Sequence, residues 1–281
     1  MNNEIFEFQE NVLITGANGF LGSHLSRTFL TRGYKVIQSD SFDEKVGEPI
    51  SFVLHFASHP SPKDHLQMPI ETLMADSQGT LAMLEIARGK GAIFLLASTA
   101  HIDQPGDPTA ERSVYKEGKR FAEALTAAYQ RKYHVITRIV RMFNSYGPGM
   151  RLDDGRVVPT FIMKALQNDP ITLIGGGQLI SLCYVDDMVE AILKVLLSNS
   201  LAPVEIGSSE QVTIRRLAEM VIELTGSKSS LVVIPEYVQS ERLPNNSKIY
   251  ELGWKPKVDL VAGLERMIED FKQRLGREEK R

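Results

Sequence analysis

Apolar and polar positions along this chain switch between a period near two and a period near 3.6, and the switches predict its elements. Residues 11–15 form a short apolar run ending in glycines, after which Phe20, Leu21, Leu25, Phe29 and Leu30 recur at helical spacing until Gly33. The pattern reads as strand, tight turn, helix. Runs rich in branched or aromatic side chains predict further strands over 35–39, 52–56, 92–97 and 135–140. Leu73, Ser77, Leu81, Leu84 and Arg88 mark a helix before the fourth strand, and Val114, Gly118, Ala122, Leu125 and Tyr129 mark another before the fifth. Strands alternating with helices imply an α/β fold built on a doubly wound parallel (Rossmann) sheet, with ligands at the carboxyl ends of the strands.

Between Asp40 and Phe52 only 11 residues intervene, fewer than the dozen or more that a parallel crossover needs, so the sheet is expected to have a trimmed edge. After Tyr146-Gly147-Pro148-Gly149 the alternation fades into shorter elements punctuated by prolines, the pattern of a smaller C-terminal substrate region. The expected division gives residues 1–148, completed by 180–205, to a cofactor-binding unit, and 149–179 with 206–281 to the substrate.

Composition narrows the function. With 281 residues and 43% hydrophobic content the chain can bury a large core. Its net charge of -3 is spread along the chain, so no basic stripe suggests nucleic acid and no basic helix suggests a membrane surface. No run approaches the roughly 18 apolar residues of a membrane span, and residues 1–10 lack an apolar core of signal-peptide length, so a cytoplasmic protein is expected. Cys183 is the only cysteine, which excludes an internal disulfide and a cysteine metal cluster. The charged tail, 272–281, is expected to fray.

The candidate chemistry begins with Thr15-Gly16-Ala17-Asn18-Gly19-Phe20-Leu21-Gly22, which follows a strand and opens a helix. Its backbone N–H groups and the positive helix end suit a pyrophosphate. Asp40, closing the second strand, can accept hydrogen bonds from both hydroxyls of an adenosine ribose and would repel the extra phosphate of NADP, so NAD is favoured. Tyr115 and Lys119 are four residues apart and share a helical face. Bringing a phenol from about 10 to about 7 takes roughly 4 kcal/mol, about what a cation 4 Å away supplies at an effective dielectric of about 20. The pair is therefore a candidate acid/base unit. Ser98 and Thr99 end the fourth strand, which is expected to bring their hydroxyls to the ligand edge of the sheet and let Thr99 orient a substrate oxygen toward Tyr115.

Together the glycine pattern, Ser98-Thr99, Tyr115-x-x-x-Lys119 and 141–148 (RMFNSYGP) resemble the extended short-chain dehydrogenase/reductase family of NAD-dependent epimerases and dehydratases, whose members modify nucleotide sugars. Residues 54–62, 154–158 and 252–256 are most similar to its UDP-glucuronate decarboxylase subgroup. The resemblance implies Thr99, Tyr115 and Lys119 as the catalytic set, acting at C4 of a hexose. It also implies cofactor contacts from Gly16, Asn18, Gly19, Phe20, Leu21, Gly22, Asp40 and Ala57. For a nucleotide sugar, expected to be UDP-linked, it implies contacts from Thr99, His101, Asn144, Arg156, Val157 and Arg242. A homodimer through the helices around 73–88 and 114–129 is a further expectation.

The departures from that subgroup bear on the reaction. His101 stands where such decarboxylases carry a glutamate, Ile180 where a loop arginine meets the substrate, and Asn245 where an aspartate is usual. Decarboxylation, 4-epimerisation and 4-keto reduction all stay open, as does a non-catalytic NAD-binding sensor or scaffold. His55 and His59 fall in a strand and beside Pro60, so no helical metal face forms and no metal is expected. Asp186 and Asp187 are expected to cap a helix.

Overall fold

The computed structural model describes residues 10–39, 47–103 and 106–278. β1 (Asn11–Thr15) passes through the glycine turn into α1 (Phe20–Thr31) and returns as β2 (Lys35–Gln38). β3 (Phe52–His55) lies on the other side of β1, with Val12 level with Val36 on one neighbour and Phe52 on the other. All residues of β1 and β3 are buried, so both read as continuous apolar runs, as strands covered on two faces must. Among the described residues β2 is the sheet edge, as the short 41–51 connection requires; Asp40 lies outside the described residues.

Two short helices, α2 (Pro62–Gln67) and α3 (Pro69–Met74), each begin on a proline, whose missing N–H costs nothing in a first turn. The single helix expected around 73–88 is instead α3, a π turn over Ala75–Gly79, and α4 (Thr80–Lys90). The extra residue of the π turn shifts the helical face by one position, which no periodicity count detects. β4 (Ile93–Thr99) runs two residues beyond its expected end and carries Ser98 and Thr99 into the sheet. α5 (Val114–Tyr133) and β5 (Thr137–Met142) follow, and a 3-10 turn over Ala100–Asp103 lies between β4 and α5.

The second half of the chain starts with β6 (Asn144–Tyr146), α6 (Val157–Leu166), β7 (Ile171–Ile174) and β8 (Leu179–Tyr184). α7 (Val185–Leu196) and β9 (Val204–Ile206) return to the main sheet, where β9 pairs parallel with β5. The completed order is β2-β1-β3-β4-β5-β9. β10 (Gln211–Thr213), α8 (Ile214–Thr225), β11 (Leu231–Ile234), α9 (Ser247–Glu251) and α10 (Leu260–Glu278) then close the chain, with small sheets β10-β8-β6 and β11-β7.

Three of the local expectations change. α10 stays helical through the charged 272–278 stretch because Leu264, Met267, Ile268 and Phe271 bury one stripe and Arg274 binds Asp270 and the Met150 carbonyl. Asp187 makes no cap on α7; its Oδ2 accepts from the backbone N–H groups of Lys257 and Val258, at 3.0 and 2.9 Å, while Trp254 donates to its carbonyl. Ile180 is buried in the core with Leu182, Ile214 and Leu217. Its strand position faces inward, so the residue is a core member.

Candidate active site

The glycine loop is built by close approach. Gly16 adopts φ +68°, and a side chain there would meet the backbone of Phe56 and Ala57 at 2.8 Å. A Cβ on Gly22 would lie 2.0 Å from the Gly16 carbonyl oxygen, so α1 sits directly on the turn. Thr15 ties the loop to β3: its hydroxyl accepts from the backbone N–H groups of Phe56 and Ala57, at 3.2 and 3.1 Å, and lies 2.7 Å from His55 Nδ1. Gly19, extended and exposed with Asn18 at the tip, is the N-cap of α1, and no side chain caps that helix. Its first N–H groups therefore present their positive ends at the carboxyl edge of the sheet. Phe20 and Leu21 turn their side chains into the core, so what they offer a ligand is backbone.

Tyr115 opens α5 half-buried, and Thr99, at the end of β4, has its hydroxyl near enough to the phenol to favour the phenolate. The His101 N–H donates to that same Thr99 hydroxyl at 3.2 Å. Lys119, one turn along, brings Nζ to 5.8 Å from the Tyr115 ring centroid. His65, from α2, stacks parallel on that ring at 5.9 Å. Thr99, Tyr115 and Lys119 are thus brought together as expected. Ser98 is not: its hydroxyl donates to Glu123 at 2.6 Å, and Glu123 is held by Arg141 at 2.7 Å. Side chains alternate along a strand, so only one hydroxyl of the pair can face the ligand edge.

The electrostatics differ from the sequence expectation. Lys119 Nζ is 2.9 Å from Asp76 Oδ1, with both side chains almost fully buried. The pair is closer than it is well aligned, since neither Asp76 oxygen accepts a hydrogen bond of good geometry among the described residues. Burial works against the Lys119 charge, but Asp76 and Tyr115 override it and hold the ammonium above its ordinary range. Burial raises the Tyr115 phenol; Lys119 pulls it down, Asp76 pushes it up, and Arg156 and the Thr99 hydroxyl lower it again. The balance is upward. In the chain by itself Tyr115 is a protonated phenol at neutral pH, a correction to the expectation that Lys119 alone would make it exchange protons there.

A cavity of about 420 Å³ opens beside this set, lined by His101, Asp103, Phe143, Glu241 and Arg242 among others. Asn144 donates its amide to both oxygens of Glu241, at 2.9 and 2.8 Å, and His101 Nε2 lies 3.6 Å from the same carboxylate. Arg242 stacks over the Phe143 ring and directs both Nη atoms to Glu205, with a further contact to Asp103 at 3.1 Å. Arg156 grips Asp154 with Nε and Nη2, and Val157 begins α6 beside it. Arg156 reaches Tyr115 through its charge, whereas Arg242 lines the cavity and Asn144 is tied to it through Glu241.

A model of the NAD dependent epimerase/dehydratase family matches residues 12–207. The chain belongs to that family. UDP-glucuronic acid decarboxylase 6 of Arabidopsis thaliana is 34% identical over 98% of this chain and 92% of the relative, and UDP-glucuronic acid decarboxylase 1 of the same plant is 35% identical over 94% and 70%. Among solved structures, UDP-glucose 4-epimerase of Thermotoga maritima with UDP-glucose superposes with a TM-score of 0.83 at 25% identity, covering 94% of this chain and 99% of that one.

As a family member the chain is an NAD-dependent nucleotide-sugar enzyme of the extended short-chain dehydrogenase/reductase type. Its own residues fit the cofactor: a glycine turn too tight for any side chain, an uncapped helix start above it and a buried ammonium on α5. Sequence reading missed Asp76, His65, Glu205 and Glu241. A signal for Asp76 was present in Gly118, between Tyr115 and Lys119, because a missing side chain on a functional helix face marks a place where another group approaches.

Proposed function

We propose that this enzyme oxidises the C4 hydroxyl of a UDP-linked hexose to a 4-keto sugar and that UDP-glucuronate decarboxylation is the reaction it completes. The convergence of the Thr99 hydroxyl and the Lys119 ammonium on Tyr115 carries this reading. Residues 1–148 with 180–205 hold the cofactor in it, and 149–179 with 206–281 hold the nucleotide sugar.

Gly16, Asn18, Gly19, Gly22 and the backbone of Phe20 and Leu21 would hold the NAD pyrophosphate, Asp40 and Ala57 the adenosine half, and Lys119 the nicotinamide ribose. NAD there supplies a reversible hydride acceptor. Tyr115 Oη takes the C4 hydroxyl proton and later returns it, a transfer that needs phenol and substrate oxygen within hydrogen-bond reach. Thr99 orients that oxygen by a hydrogen bond. The positive charge of an oxidised nicotinamide would add to Lys119 and Arg156 in drawing the phenol down. With Thr99 and Tyr115 holding the 4-keto oxygen, a C5 carboxylate can leave as carbon dioxide, its bonding pair passing into an enolate at C4–C5 that takes up a proton at C5. Hydride return to C4 and the Tyr115 proton would then restore the C4 hydroxyl. Asn144 and Arg242 face the nucleotide phosphates, with Arg156 and Val157 on the other wall.

Glu241 favours a second reading, 4-epimerisation or 4-keto reduction of a neutral sugar, because its carboxylate beside His101 opposes a second carboxylate. Incubating the protein with NAD and UDP-glucuronate or UDP-glucose separates the two by product mass, which changes on decarboxylation, and by chromatography, which resolves isobaric C4 epimers. Loss of carbon dioxide from UDP-glucuronate is the expected result; no turnover of either, or of a 4-keto nucleotide sugar, overturns the enzymatic reading.

A homodimer suits the exposed Ile70, Met74 and Leu81 of α3 and α4 and Phe121 of α5. Light scattering tests it. Among the described residues no helix is long and apolar enough to cross a membrane, and a cytoplasmic location goes with this reading.

A further inference from the structure

We propose that Asp76 is a positioning residue that keeps Lys119 in its ammonium form and in place beside Tyr115; this deepens the reading above and rests on it. The two side chains meet at 2.9 Å with 0% and 2% of their surfaces exposed. A buried lysine left alone gives up its proton, because its charge loses the stabilisation of water. Asp76 prevents that here.

The architecture presents the carboxylate from a second element. Asp76 sits in the π turn between α3 and α4, and its Oδ2 lies 2.7 Å from where a Cβ on Gly118 would be. The shift of one residue in the π turn and the bare backbone at Gly118 together let a carboxylate lie against α5 between the tyrosine and the lysine. A side chain at 118 would push it away from Lys119.

The other groups around Lys119 do not replace it. His55, from β3, is buried, bonded to Thr15 and held neutral, with its pKa lowered to about 3 by burial first and by Lys119 second. In the chain by itself Tyr115 is a neutral phenol at neutral pH, and Glu123, also on α5, is bound by Ser98 and Arg141. Arg156, which acts on Tyr115 from the start of α6, carries the same sign of charge as Lys119. Asp76 is therefore the close anion that balances the ammonium.

The consequence falls on Tyr115. Lys119 can lower the phenol only while it is charged, and Asp76 extends the pH range over which it is. Without Asp76 the lysine would lose its proton on the alkaline side, and the pH–rate profile would gain a falling limb there.

The test follows Lys119 directly in protein with isotope-labelled lysine, reading its Cε and Nζ resonances against pH without cofactor or substrate, and assigning them with Lys119→Met. In the wild type Lys119 should remain an ammonium through about pH 10, and in Asp76→Asn it should lose its proton below about pH 9, a fall of about 2 units or more of the size buried lysines show. An Asp76→Asn protein whose Lys119 stays charged through pH 10 overturns the proposal. If that variant does not fold, the wild type decides alone: a Lys119 that deprotonates below pH 9 with Asp76 present overturns it equally. Because this reading needs no turnover, an inactive wild type with a charged Lys119 would refute the proposed reaction and leave the role of Asp76 standing.

Discussion

The guanidinium of Arg242 holds the carboxylate of Glu205 with both Nη atoms, at 2.7 and 2.6 Å. Such a fork-to-fork pair is the geometry by which arginine grips phosphate, so Glu205 occupies the donors that a diphosphate would use. Glu205→Gln should therefore tighten UDP binding about three- to tenfold, equal to roughly 0.7–1.4 kcal/mol, as read by calorimetry. Weaker binding would show that Glu205 positions Arg242 and does not compete for it.

Tyr115→Phe removes the hydroxyl that Thr99 meets and leaves the ring stacked on His65. Turnover should fall by about 10²- to 10⁴-fold, the usual contribution of a positioned acid/base, with NAD affinity unchanged. Single-turnover kinetics and cofactor fluorescence check the two halves.

Gly22→Ala would place a methyl group 2.0 Å from the Gly16 carbonyl oxygen. Backbone meets backbone there, so α1 must move off the turn. The expected result is loss of NAD binding together with about 1–3 kcal/mol of stability, measured by cofactor titration and urea unfolding.

His55 gives stability a pH dependence with a definite sign. Its pKa in the folded chain is about 3 against an ordinary 6.5, so the unfolded chain binds the proton first. Between those values stability falls with falling pH by about 1.4 kcal/mol per unit from this one group. His55→Asn should flatten the acid side of the unfolding profile between pH 6 and 4. An unchanged slope would mean that other groups govern acid unfolding.

Asp187→Ala removes the acceptor for the backbone of Lys257 and Val258, next to the fully buried Trp254. A loss of about 1–3 kcal/mol is expected from two stranded N–H groups. Trp254 fluorescence during denaturation reports it.

Local chemistry was legible wherever one segment sufficed. The glycine turn, the strands of the Rossmann sheet and the one-turn spacing of Tyr115 and Lys119 depend on neighbours within a few residues, where backbone sterics and the 3.6 and 2.0 periods decide. The strand end at Thr99 is less legible, because pairing with β5 extends β4 past its apolar run. The helical fate of 272–278 needed the core that receives Phe271 and Met267.

The sequence by itself therefore determined the fold class and the family, and pointed to Thr99, Tyr115 and Lys119 as neighbours in space. Only the tertiary structure decided their electrical state. Asp76 reaches Lys119 across 43 positions, Glu205 reaches Arg242 across 37, and Asn144 reaches Glu241 across 97. Charge–charge energies depend on distance in space and on exclusion of water, neither of which follows from separation along the chain.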